Sequence, residues 1–146
     1  MGIFSSFKKK TKEDINDSDY IETIIKHGDG EPLGVASQNV IYGGYNELGG
    51  YYYLQTYVIG KLKTKTKTGA TLLIEGDNYT LDLKSDMDEI ESENVDVFEG
   101  FATRIDFETE KETVENLKRS TIKSITLKIK KDTMVFAPFE NVSEGN

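Results

Sequence analysis

Two stretches of alternating apolar and polar residues near the end of the chain constrain its fold more than any other feature. Over residues 101–108, Phe101, Thr103, Ile105 and Phe107 alternate with a set that is mostly polar and charged. The same period returns over 122–130, where Ile125, Leu127 and Ile129 alternate with polar residues. Because successive side chains of a strand point to opposite faces, this pattern predicts two strands, each with one buried and one exposed face.

A short helix is predicted between these two strands, over residues 110–118. Thr109 lies three residues before Glu112, the spacing of a capping box, in which each side chain accepts a backbone N–H at the start of a helix. Val114 and Leu117 would share one side of that helix. Since the connection is long enough for a parallel crossover, a local βαβ unit stays open as the alternative to antiparallel pairing.

Further strand patterns extend this arrangement into a sheet. They lie over residues 35–42, 50–68, 70–75, 79–83 and 133–137. Gly60 interrupts the longest pattern, where a bulge would shift the alternation by one position. The last pattern either continues the preceding strand or forms a hairpin with it. The predicted fold class is mainly β (α+β): a single domain, mostly antiparallel, built as a sandwich or bent sheet with one short helix between two C-terminal strands.

The length of 146 residues is close to the commonest size of a single domain. We predict a flexible N-terminal tail over residues 1–19, a β-rich domain over 20–140 and a C-terminal tail over 141–146. Residues 20–25 suit either a strand or a helical turn. The absence of a long apolar stretch indicates a cytoplasmic protein, and the absence of cysteine excludes disulfides, thiolate metal sites and cysteine nucleophiles.

The acidic charge argues against one class of partner. A net charge of −8 makes nucleic-acid binding unlikely, because phosphate contacts need a basic surface. The charge is unevenly placed: residues 82–115 are dominated by acids, whereas residues 118–131 carry six bases and no acid. Local basic surfaces therefore remain open.

A segment rich in tyrosine and glycine provides the candidate ligand site. Six of the eight tyrosines lie over residues 42–57. Tyrosine combines a flat apolar ring with a polar tip, which suits stacking against sugars or a partner surface, although the same rings serve equally well as core. If the alternation continues past Gly60, three rings share a face with a run of lysines, which favours an anionic saccharide or an acidic protein as partner; alternatively, those lysines protect a sheet edge. The candidate ligand-binding residues are Tyr51, Tyr53, Tyr57, Lys61 and Lys63.

The N-terminal segment provides a second candidate contact. Its first six residues match the loose Met-Gly-x-x-x-Ser pattern for acylation, and the lysines that follow would add attraction to an anionic membrane. A frayed terminus is the structural alternative. The candidate membrane or partner contacts are Ile3, Phe4, Phe7, Lys8, Lys9 and Lys10.

Motifs for metal binding and catalysis are weak or absent. Asp86 and Asp88 begin like a calcium loop, but Ile90 and Val97 stand where the motif needs a ligand and a glutamate. The single histidine, His27, has no neighbouring ligands in sequence. We therefore predict no metal, no cofactor and no enzyme activity. The predicted function is a non-catalytic binding or structural module, with a peripheral membrane or adaptor protein recruited through its tail as the alternative.

Overall fold

The computed structural model describes residues 17–28, 30–119 and 121–139. Helix α1 covers residues 17–27 of this part, and helix α2 covers Lys111–Arg119. The strands are β1 (Gly34–Val35), β2 (Asn39–Leu48), β3 (Tyr51–Gly60), β4 (Lys65–Thr66), β5 (Ala70–Gly76), β6 (Thr80–Lys84), β7 (Ile90–Glu91), β8 (Glu93–Asn94), β9 (Phe101–Thr109), β10 (Ile122–Ile129) and β11 (Asp132–Pro138).

Nine of these strands form one antiparallel sheet, in the order β6-β5-β10-β11-β1-β2-β3-β9-β8. The sheet curls into a half-barrel, so that the end of β6 meets β9 through a bridge between Ser85 and Phe107. There the backbone N–H of Asp86 donates to the carbonyl oxygen of Asp106 at 2.8 Å. The predicted single, mostly antiparallel β domain with one short helix between C-terminal strands is confirmed.

The connection through α2 does not form a βαβ unit. Strand β9 pairs with β3 and β8, whereas β10 pairs with β5 and β11, so the two strands flanking the helix are not neighbours. Strands β10 and β11 form a hairpin, with Ile129 opposite Asp132 and Lys130 and Lys131 in the turn. The crossover alternative was wrong because the curled sheet places two strands between β9 and β10.

The concave side of the sheet holds the main core. Alternate residues of β5, β9 and β10 are buried there, and Phe107, Leu127 and Phe136 are fully enclosed. Burial of such side chains contributes about 1.5 to 3 kcal/mol each, which drives the sheet to curl around them. The alternation in β9 and β10 that the sequence indicated matches this burial.

Gly60 does not mark a bulge. The β2–β3 register runs without a shift from Leu48 opposite Tyr51 to Asn39 opposite Gly60. A Cβ at Gly60 would collide with the carbonyl oxygen of Gln38, so glycine is needed for close backbone approach. The alternation therefore continues, with Leu62 buried beyond the end of β3.

Helix α1 covers part of the convex side. Ile24 is 1% exposed and packs with Val40 and Tyr42 of β2 in a second, smaller cluster. The hydroxyl of Tyr20 donates to the carbonyl oxygen of Glu99 at 2.8 Å. The ambiguous pattern over residues 20–25 is thus helical. The helix includes residues 17–19, which the sequence analysis assigned to the tail; residues 1–16 and 140–146 lie outside the described residues.

Thr109 does not cap helix α2. It is the last residue of β9, opposite Tyr52, and its buried hydroxyl has no hydrogen-bond partner among the described residues. The helix begins one residue later than the capping box requires, and the carbonyl oxygen of Glu110 accepts the N–H of Val114 at 3.0 Å. The capping prediction was wrong because pairing with β3 extends the strand through Thr109.

Candidate binding surface on the convex side of the sheet

The outward residues of β2, β3 and β9 form one continuous surface beside helix α1. Residues directly opposite each other in an antiparallel pair share a face, so the register brings Tyr42, Tyr57 and Arg104 into one row and Asn46, Tyr53 and Glu108 into another. We call this surface the tyrosine face. Its residues are Tyr42, Gly44, Asn46, Leu48, Tyr51, Tyr53, Gln55, Tyr57, Arg104, Asp106 and Glu108.

Several apolar side chains of the tyrosine face lie open to solvent. Tyr51 is 58% exposed, Leu48 is 55% exposed and Tyr57 is 43% exposed. Tyr53 is half-buried on the same face. The three tyrosines predicted from sequence therefore share one surface, because the period of β3 is unbroken from Tyr51 to Gly60.

Hydrogen bonds hold the polar groups between the rings. The guanidinium of Arg104 donates to both carboxylate oxygens of Asp106, at 3.0 and 3.3 Å, and this contact raises the pKa of Arg104. The side-chain amide of Asn46 donates to Oε1 of Gln55 at 3.1 Å. These contacts order the surface before any ligand arrives, which lowers the entropic cost of binding.

A cleft of about 350 Å³ opens in the tyrosine face at Gly44. No atom of the described residues lies within 4 Å of the position that a Cβ on Gly44 would occupy, so the missing side chain leaves free space among them. Tyr57 lines this space, as does Glu31 of the loop before β1. The remaining lining residues are Gly30, Tyr42, Gly43, Tyr45 and Gln55.

Carboxylates outnumber cations around the tyrosine face, whose cation, Arg104, is paired with Asp106 and also interacts with Tyr57. Burial raises the pKa of the Tyr53 hydroxyl, and Asp86 and Glu108 raise it further because negative charge disfavours the phenolate. Glu31 adds a carboxylate at the cleft. This environment disfavours an anionic ligand and favours a neutral or cationic one.

The two predicted lysines lie apart from the exposed rings. The ammonium of Lys61 is 4.5 Å from the ring centroid of Tyr20, and that of Lys63 is 5.5 Å from the ring centroid of Phe101. At about 3.3 Å per residue, Lys61 is roughly 13 Å along the chain from Tyr57. The structure thus brings Tyr51, Tyr53 and Tyr57 to one face and places Lys61 and Lys63 beside other rings.

The other candidates from sequence do not assemble a site in the described part of the chain. No group of three His, Asp or Glu side chains there is close enough to hold a metal ion. His27 lies 3.0 Å from the carbonyl oxygen of Thr23 through Nδ1. The membrane contacts proposed for Ile3, Phe4, Phe7 and Lys8 to Lys10 lie outside the described residues. Neither described helix has the length and apolar character needed to cross a bilayer.

Sequence reasoning missed the residues that shape the cleft. Gly44, Gln55 and Glu31 come from three different segments, and only the strand register and the folded loop bring them beside Tyr57. The mixture of glycine and tyrosine over residues 42–57 was the available signal. No protein-family model, curated protein or solved structure matches this chain. Its function is therefore inferred from its own residues.

Proposed function

We propose that this protein is a non-catalytic binding module whose tyrosine face docks a protein partner, with an arginine side chain of the partner entering the cleft at Gly44. The observation that carries the proposal is the open space at Gly44, bordered by the exposed ring of Tyr57 and the carboxylate of Glu31. The proposal keeps the binding module predicted from sequence and changes the charge expected of its partner.

The composition of the tyrosine face favours a protein partner. Interfaces are enriched in tyrosine and arginine and depleted in lysine, because rigid rings provide large contact areas at low cost in side-chain entropy. Apart from Tyr42, which is buried against helix α1, the rows defined above contain Tyr53, Tyr57 and Arg104 and no lysine. Exposed Leu48 and Tyr51 extend the apolar area to the tip of the hairpin.

The charges favour a cationic group in the cleft. The face of an aromatic ring carries negative electrostatic potential, so a guanidinium stacks on it favourably, and arginine does so more readily than lysine. A guanidinium beside Tyr57 would also lie near the carboxylate of Glu31. An anionic saccharide, one of the two partners expected from sequence, would meet Glu31, Asp106 and Glu108 instead.

The test is a chemical-shift titration of the isotope-labelled protein with a short peptide of alternating glycine and arginine. We expect the backbone amides of β2 and β3 around Gly44 to shift. Tyr57→Ala should weaken the binding about five- to thirtyfold, as for a hot-spot residue. Val135→Ala is the matched control, because Val135 is 59% exposed on β11, outside the tyrosine face.

Two further titrations decide between partner classes. The same peptide with citrulline in place of arginine should bind much more weakly, because citrulline has the shape of arginine without its charge. A neutral oligosaccharide should leave the tyrosine face unshifted. Shifts with the oligosaccharide and none with the arginine peptide would contradict the proposal, as would equal binding by the Tyr57→Ala and Val135→Ala variants.

A further inference from the structure

A second cleft, of about 330 Å³, lies on the convex side where β5, β6 and β10 run side by side. Its lining includes three lysines, Lys84, Lys128 and Lys130, with Thr71 among them. We call it the lysine cleft. It is formed by the hairpins β5–β6 and β10–β11 together with the segment that leads out of β6, and it shares no lining residue with the cleft at Gly44.

The strand register places two of the lysines on either side of one hydroxyl. Thr71 of β5 lies opposite Lys84 of β6 on one side and opposite Lys128 of β10 on the other. Registered neighbours share a face, so all three side chains project to the convex side. Since adjacent strands are about 4.8 Å apart, the two lysine backbones are roughly 10 Å apart, and their long flexible stems can converge above Thr71.

Lys130 has an unusual backbone conformation that brings a third charge to the same place. Its φ is 54°, and it is the one non-glycine residue with positive φ in the described part of the chain. Glycine or asparagine is the usual occupant of such a turn position, because other side chains cost about 1 to 2 kcal/mol there. A lysine at this position gives up stability in the turn and supplies a cation at the lysine cleft, which points to a role for its side chain.

In the part of the chain that the structure describes, the three ammonium groups form no ion pair with a carboxylate. Among the described residues the ion pairs are Arg104 with Asp106 and Lys123 with Asp77, so no lysine of the cleft is neutralised by a contact within 4.0 Å. Asp88 also lines the cleft and offsets one of the three charges. A local positive charge remains on a protein whose net charge is −8.

The geometry points to a binding site for a small phosphate-bearing molecule, with Lys84, Lys128 and Lys130 holding the phosphate and the hydroxyl of Thr71 donating to one of its oxygens. Lysine binds phosphate as a mobile point charge, and a phosphate dianion accepts several hydrogen bonds at once. The volume of the cleft is at the lower end of the range for small-molecule sites, so it leaves space for an organic group beside the phosphate.

The test is a chemical-shift titration with inorganic phosphate and pyrophosphate at constant ionic strength, with sodium chloride as the reference salt. We expect amides of β5, β10 and the β10–β11 turn to shift, and pyrophosphate to bind more tightly than phosphate. Lys84→Gln and Lys128→Gln should each weaken binding about fivefold. Lys26→Gln is the matched control, because it removes the same charge from the exposed surface of α1.

Lys130→Gly separates a binding role from a structural one. Glycine relieves the positive φ, so this variant should be at least as stable as the natural protein in urea unfolding and yet bind pyrophosphate several times more weakly. Equal shifts with chloride and pyrophosphate would overturn the inference, and so would equal weakening by Lys26→Gln and Lys128→Gln. Pyrophosphate binding that Lys130→Gly leaves unchanged would contradict the role of Lys130.

A vesicle-binding experiment distinguishes the two possible ligands, a free phosphate-bearing molecule and a lipid headgroup. If the ligand is a free molecule, soluble inositol phosphate should bind and vesicles of phosphatidylcholine with a phosphoinositide should not retain the protein. Retention on those vesicles that Lys128→Gln abolishes would assign the site to a lipid headgroup and support the phosphate inference. Retention that Lys128→Gln leaves unchanged, without binding of soluble phosphates, would overturn it.

Discussion

The tyrosine face and the lysine cleft lie on the same convex side of one sheet, yet they differ in assembly and in charge. The tyrosine face comes largely from a single hairpin, β2–β3, and is surrounded by acids such as Glu31, Asp86 and Glu108. The lysine cleft joins two hairpins and gathers cations that form no ion pair with any described carboxylate.

This difference shows which kind of surface the sequence reveals directly. A surface built from one hairpin leaves a dense local pattern, and the tyrosine-rich segment was recognisable for that reason. A surface built across strands from distant parts of the chain leaves no such pattern, since Lys84 and Lys128 are brought to either side of Thr71 by pairing alone. The two regions lie on a common core. Substitutions in the core should therefore lower the free energy of unfolding much more than substitutions on the convex side.

The largest expected effect comes from the core beneath the two regions. Leu54→Ala, beneath the tyrosine face, and Leu127→Ala, beneath the lysine cleft, should each lower the free energy of unfolding by about 2 to 5 kcal/mol, because both side chains are fully buried. The outward neighbours Tyr53 and Lys128 provide matched controls. Tyr53→Ala and Lys128→Ala should cost about 1 kcal/mol or less in urea unfolding. A loss of several kcal/mol for Tyr53→Ala would show that its ring is part of the core and remove it from the tyrosine face.

The pH dependence of the free energy of unfolding should distinguish Tyr45, on the interior side of the Gly44 cleft, from the exposed rings. Burial raises the pKa of Tyr45 to about 12, with a smaller contribution from Tyr79. In the unfolded chain tyrosine ionises near pH 10, at about its reference value. Between these values the folded protein keeps a proton that the unfolded chain loses, so the free energy of unfolding should fall as pH rises from 10 to 12.

Tyr45→Phe tests this assignment. The variant should lose that part of the pH dependence, whereas Tyr51→Phe, at an exposed ring on the same hairpin, should keep it. The measurement is urea unfolding at several pH values between 8 and 12, with the three proteins compared at each pH. Identical slopes for Tyr45→Phe and the natural protein would contradict the burial assigned to Tyr45.

The smallest effect concerns the end of β9, at the border of the tyrosine face. Thr109→Val removes a buried hydroxyl that has no hydrogen-bond partner among the described residues, and it should raise the free energy of unfolding by up to about 1 kcal/mol. Thr56→Val is the matched control, because the hydroxyl of Thr56 donates to the carbonyl oxygen of Ile105 at 2.6 Å and its loss should cost about 0.5 to 1.5 kcal/mol. If Thr109→Val instead lowered the free energy of unfolding by about 1 kcal/mol, Thr109 would be acting as the helix cap that the sequence indicated.

Local patterns were sufficient where one face of a strand is buried. The alternation in β9 and β10 and the strand patterns over residues 70–75 and 79–83 were predicted because each depends on neighbours in sequence. The strand order and the curl depend on pairing between distant segments, and no local signal specifies them. Thr109 shows the same limit at one residue: its spacing to Glu112 favours a cap, but pairing with β3 prevails.

The candidate site, like the fold, was predictable only where it depends on neighbours in sequence. The shared face of Tyr51, Tyr53 and Tyr57 follows from the period of one strand. The expected contribution of Lys61 depended on distances beyond the end of that strand, where the side chain meets Tyr20 of helix α1 instead. The charge of the surroundings, which sets the preferred ligand, comes from Glu31 and Glu108 on other segments.

The central claim is that the two convex regions select ligands of opposite charge. One labelled sample titrated first with the glycine–arginine peptide and, in a separate series, with pyrophosphate tests it most directly. We predict that the peptide shifts amides of β2 and β3 around Gly44 and that pyrophosphate shifts amides of β5, β10 and the turn at Lys130, with little overlap between the two sets. Overlapping sets, or shifts by both probes scattered over the whole surface, would contradict the claim.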